Sequence, residues 1–146
     1  MSAGTTPTAR LAGLSLAVIL SVGGGACGDD GGPPTSVTVG EVEVPATRLA
    51  EALQGICLAR RQAGGNVQAA RTTFFDRSHD TLHLLALALE AEDRQKAGEL
   101  LLAKQLVEAD LESTPVRPAL AQDLSRLAAV TRSGLARLEI STPPCE

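Results

Sequence analysis

Between Pro118 and Leu138 the chain sets Leu120, Leu124, Leu127, Thr131, Leu135 and Leu138 at steps of three and four residues, with Arg126, Ser133 and Arg137 opposite them. Such steps follow the turn of an α-helix, about 3.6 residues, and give it one apolar and one polar face. An apolar face of this kind has to be buried against a neighbour. The same logic holds upstream. Leu49, Leu53 and Ile56 share a face over 46–63, with Cys57 at its edge, and Gly64-Gly65 ends that helix. Asn66 can cap the next one, where Val67, Phe74, Leu82, Leu85 and Leu89 form a stripe. The stripe favours one long helix over 66–91; Arg71 and Ser78 interrupt it, which leaves a break near Asp76–Asp80 open. Asp93 suits the cap of a third helix, 93–111, with Ala97, Leu100, Val107 and Leu111 inward. After the proline-marked loop 113–117, Pro118 suits the first position of a fourth helix, 118–138. Four amphipathic helices on short connections predict an all-α, up-down four-helix bundle.

Composition narrows the functions such a domain can carry. The 146 residues hold two Phe, no Trp and no Tyr, while Ala and Leu supply 45 positions. A chain this poor in aromatic and β-branched residues does not build an all-β core, and it is too apolar for a disordered one. Functions that need aromatic platforms, such as base stacking, proline-helix grooves or cation cages, are disfavoured. A narrow Ala/Leu core implies no cavity for a haem or a drug-sized ligand.

The first thirty residues have a different character. Arg10 precedes an apolar run, Leu11 to Val22, and small residues follow. This is the layout of a secretory signal peptide, too short to span a bilayer, which takes about 20 residues. Gly24-Gly25-Ala26-Cys27 resembles the lipobox of bacterial lipoproteins, although the position three before the cysteine, usually Leu or similar there, is Gly24. The resemblance covers residues 10–30 only. It implies that the leader 1–26 is removed, that the Cys27 thiol is diacylated, and that its new amino terminus is acylated. Two or more acyl chains on one residue give firm membrane attachment. Residues 27–45 are then expected to be the lipidated cysteine and a flexible linker: GDDGGPPTS is polar, and TVGEVEVP is one edge strand at most. The helical domain is expected over 46–146. Gly23, Gly25 and Gly28 also fit G-x-G-x-x-G, but Asp29, Asp30 and the Gly/Pro run behind them cannot open a phosphate-binding helix.

Besides Cys27 the chain has two cysteines, Cys57 and Cys145, and outside the cytoplasm such a pair predicts one disulfide. No CxxC or CxxCH motif occurs. The only histidines, His79 and His83, stand four apart just after the only aromatics, Phe74 and Phe75, with Asp76 and Asp80 beside them. On a helix both rings project to one side, so the four residues are a candidate copper or zinc site. The plainer alternative is a solvated helix face. Ser78 beside His79 points elsewhere and has no third partner, so it is no nucleophile–base pair. Glu90, Glu92 and Asp93 read as a turn and cap. Leu102 and Leu106 fall opposite the inner face of the third helix and are a candidate contact surface.

From Cys27 onward the chain has twelve basic and seventeen acidic residues, a balance that disfavours nucleic acid. The sequence thus predicts a membrane-anchored, extracytoplasmic lipoprotein without catalysis or cofactor. Its small helical domain would bind an envelope protein, a cell-wall component or a copy of itself. A copper- or zinc-binding envelope lipoprotein using the histidine pair is the alternative.

Overall fold

The structure is a computed structural model that describes residues 32–142, 144 and 145. The expected leader and Cys27 lie outside the described residues. Helix accounts for 72% of them, beside one small two-stranded sheet.

The chain enters through an antiparallel hairpin, β1 (Ser36–Val39) and β2 (Val42–Pro45), with Val37 opposite Val44 and Thr38 opposite Glu43. Gly40, at φ 61, opens the two-residue loop, in the left-handed region where glycine is free of strain. Val44 is buried, and Val37 and Val39 pack on the helical core. This corrects the linker expectation. The valines of TVGEVEVP are divided by a turn, so residues 36–45 belong to the folded unit, which begins well before Ala46.

Helix α1 spans Ala46–Ala63, its first amide donating to the Thr35 carbonyl at 2.9 Å. Asn66 caps α2 (Val67–Phe74) by accepting from the Ala69 amide at 2.9 Å. The expected single helix over 66–91 is instead α2, a π-helical turn at Phe75–His79, and α3 (Asp80–Glu92). All three run on as one rod, because Phe75 and Asp80 keep helical dihedrals. The reason for the wider turn lies in the spacing. Ala70, Phe74, Ser78 and Leu82 are all buried and succeed each other at steps of four. In a regular helix each such step overshoots a full turn by about 40°. A π turn takes up that drift and keeps all four on one side.

Asp93 accepts from the Lys96 amide at 3.0 Å and starts α4 (Arg94–Glu112). The loop that follows is tied by the Ser113 hydroxyl, which donates to the Asp110 carbonyl at 2.7 Å. Helix α5 runs Leu120–Arg137; Pro118 sits in the turn before it rather than in its first position. Its end is a Schellman motif: Ile140 N–H reaches Leu135 O at 2.9 Å and Glu139 N–H reaches Ala136 O at 3.1 Å.

The α1 and α5 stripes are buried as the leucine spacing predicts, except that Leu138 falls just past α5 and is half-buried; Ala97, Leu100, Val107 and Leu111 of α4 are buried too. α1 packs against α2, the π turn and α5, while α4 packs between α3 and α5. Cys145 folds back onto α1, where a disulfide joins it to Cys57 with their Cα atoms 5.5 Å apart.

Candidate functional site

The π turn is where the chemically varied side chains gather. On its α1 side the rod comes unusually close. A Cβ at Gly55 would lie 2.3 Å from Ser78 Oγ and 3.0 Å from Arg77 Cβ, so only glycine fits. The approach lets the buried Ser78 hydroxyl donate to the Ala52 carbonyl at 2.9 Å. That hydroxyl therefore anchors the rod and is not presented as a nucleophile. Beside it lies an open polar groove of about 450 Å³ lined by Arg48, Glu51, Asp76, Arg77 and Asp80 among others.

On the α4 side the same turn presents His79, with both ring nitrogens engaged. Nδ1 lies 2.8 Å from Asp80 Oδ1 and Nε2 lies 2.8 Å from Glu108 Oε1. The Glu108 oxygen also accepts from Lys104 Nζ at 2.5 Å. Lys104 is only 3% exposed, and this carboxylate is the partner that offsets the burial of its amine. The result is a continuous chain of polar contacts, Asp80–His79–Glu108–Lys104. An imidazolium satisfies both carboxylates with its two N–H donors, a neutral ring only one. The His83 ring stands edge-on to His79 with centroids 5.2 Å apart, and Phe75 flanks His79 at 5.3 Å. The hydrogen bond from His79 holds the exposed Asp80 carboxyl below its usual range. Partial burial, and then the Lys104 ammonium, push His83 down from its ordinary value.

This arrangement differs from the metal set read in the sequence. His79 touches Asp80 and stands edge-on to His83, whereas Asp76 lines the α1-side groove, as Asp80 also does, and the second carboxylate on His79 is Glu108, itself paired with Lys104. Both His79 nitrogens are engaged by carboxylates, and the Lys104 ammonium lies against one of them, Glu108. Among the described residues no group of three or more His, Cys, Asp or Glu side chains is placed to hold a metal ion. Lys104 was the signal missed: it occupies an inward position of the α4 stripe, four after Leu100 and three before Val107.

Beyond His83 the α3–α4 pair turns an apolar groove outward. Ala86, Leu87, Ala97, Gly98 and Leu101 line about 420 Å³, with Glu90 and Arg94 at its rim. Leu102 is 52% exposed, as its position on α4 predicts, and Leu106 is half-buried. The exposed leucines that sequence reasoning missed are Leu87 and Leu101, which the stripe analysis left unassigned.

No helix of the described residues is long and apolar enough to cross a membrane. Comparison with known protein families, curated proteins and solved structures finds no match.

Proposed function

We propose that this chain is a membrane-anchored, extracytoplasmic lipoprotein whose helical domain acts by contact with another macromolecule and not by catalysis. The contact reading rests on one observation: three of the four exposed large hydrophobics among the described residues, Leu87, Leu101 and Leu102, lie on the single helix pair α3–α4. A scattered surface leucine needs no explanation, but a cluster on one helix pair, with Leu87 and Leu101 lining an open groove, does. The anchoring half of the reading comes from the resemblance of Gly24–Cys27 to a lipobox. The Cys57–Cys145 disulfide agrees with an oxidising compartment. Within this reading α1, the α2–α3 rod, α4 and α5 alternate up and down, since successive members are joined by short connections and contact one another.

The test is metabolic labelling with palmitate in a bacterial host, followed by membrane fractionation. The native chain is expected to carry label and sediment with membranes, and Cys27→Ala to lose both. A Cys27→Ala chain that stays labelled and membrane-bound overturns the anchoring.

A further inference from the structure

We infer that the outward α3–α4 face docks a second copy of this chain through a two-fold symmetric contact; this names the partner for the contact reading above and rests on it. The groove floor is made of small residues. Gly98 has nothing within 4 Å of the position a Cβ would occupy, so a protruding side chain can reach the backbone there. Leu87, 54% exposed, stands at the groove's edge and is of a size to enter such a floor. One surface therefore offers both a knob and a hole. That is the condition for an isologous contact, in which residue i meets residue j and j meets i.

The charges decide between a second copy and other occupants. Glu90 and Arg94 sit together at the rim, paired at 3.4 Å, with side chains 52% and 85% exposed. A two-fold rotation can set Arg94 of one copy against Glu90 of the other, and the reverse, so the rim complements itself. An acidic partner or an anionic lipid headgroup suits Arg94 but meets Glu90 as a like charge. A basic partner has the opposite conflict.

The experiment uses the full chain in bacterial cells, with two differently tagged copies expressed together and the photo-crosslinking substitution Leu87→p-benzoylphenylalanine. Irradiation is expected to give a product carrying both tags. Arg94→Glu is expected to reduce that product about tenfold, because each Glu90 then faces a like charge. Glu90→Arg combined with Arg94→Glu should restore it. The same crosslinker at Arg126, on α5, is the control. Crosslinks only to a different protein overturn the second-copy inference and leave the contact reading intact. No crosslink at all overturns both. A two-tag product unmoved by Arg94→Glu, or equally strong from Arg126, overturns the two-fold docking.

Discussion

The α2–α3 rod is gripped on its two sides by different physics. α1 holds it by proximity: Gly55 removes a side chain and Ser78 reaches the Ala52 carbonyl. α4 holds it by charge, with Glu108 bridging His79 and a buried Lys104. α4 uses charge on its other side too, where buried Asp110 faces Asp123 of α5, with Arg117 3.6 Å away. A close-packed contact is indifferent to pH and salt but intolerant of volume. A charged contact tolerates volume but follows the protonation of its members. The two grips should therefore fail under different perturbations.

The largest effect should come from the covalent tie on the α1 side. Cys145→Ser opens a loop whose ends are 88 residues apart. On the chain-entropy account this costs about 4–5 kcal/mol in urea unfolding. Wild-type protein under reducing conditions should unfold at the same midpoint. Next, Gly55→Ala forces a methyl group against Ser78 Oγ and Arg77 Cβ. Its cost should be about 2–3 kcal/mol, unchanged between low and high salt. A strong salt dependence for this variant would break the distinction between the grips.

Lys104→Met leaves Glu108 with His79 alone. Glu108 is 21% exposed and keeps its contact with His79 Nε2, so the loss should be about 1–2 kcal/mol, below that of a fully buried orphan. Proton NMR of the imidazoles should also show His83 titrating at higher pH, since one of the groups depressing it is gone.

The smallest effect concerns Asp110. Burial, and then the facing Asp123 carboxyl, push its carboxyl above the usual range, against the pull of Arg117. A group raised in the folded state contributes stability that is fully present below its unfolded value, about 3.9, and is lost as pH rises through the folded one. Asp110→Asn cannot lose that contribution. It should gain on the wild type by about 1 kcal/mol between pH 4 and pH 7 in urea titrations. Asp80, held low by His79, works in the opposite direction: its contribution is present above about 3.9 and fades as pH falls through its folded value.

The helices were legible in the sequence because their signals are local. Leucine spacing marked the buried faces of α1 and α5, and Gly64-Gly65, Asn66 and Asp93 marked ends and caps. The π turn was not, because a stripe drawn at a constant angle treats Ser78 as an interruption. Its inward place depends on Gly55, more than twenty residues earlier. The hairpin was missed because alternating valines read the same in one strand or two; Gly40 was the discriminating residue. At the histidines the short-range partners, His83 and Asp80, could be read. Glu108 and Lys104 come from another helix, and only the inward register of Lys104 hinted at a buried counter-charge.

The disulfide has a further consequence for damage. It closes residues 57–145 into a covalent ring that contains the α2–α3 rod, α4 and α5, and within it the 113–119 segment is the exposed, proline-marked connection. Proteolysis concentrates at such loops. A single cut there would open the ring without dividing the molecule. The two pieces would remain one covalent body, with α5 still tethered to α1.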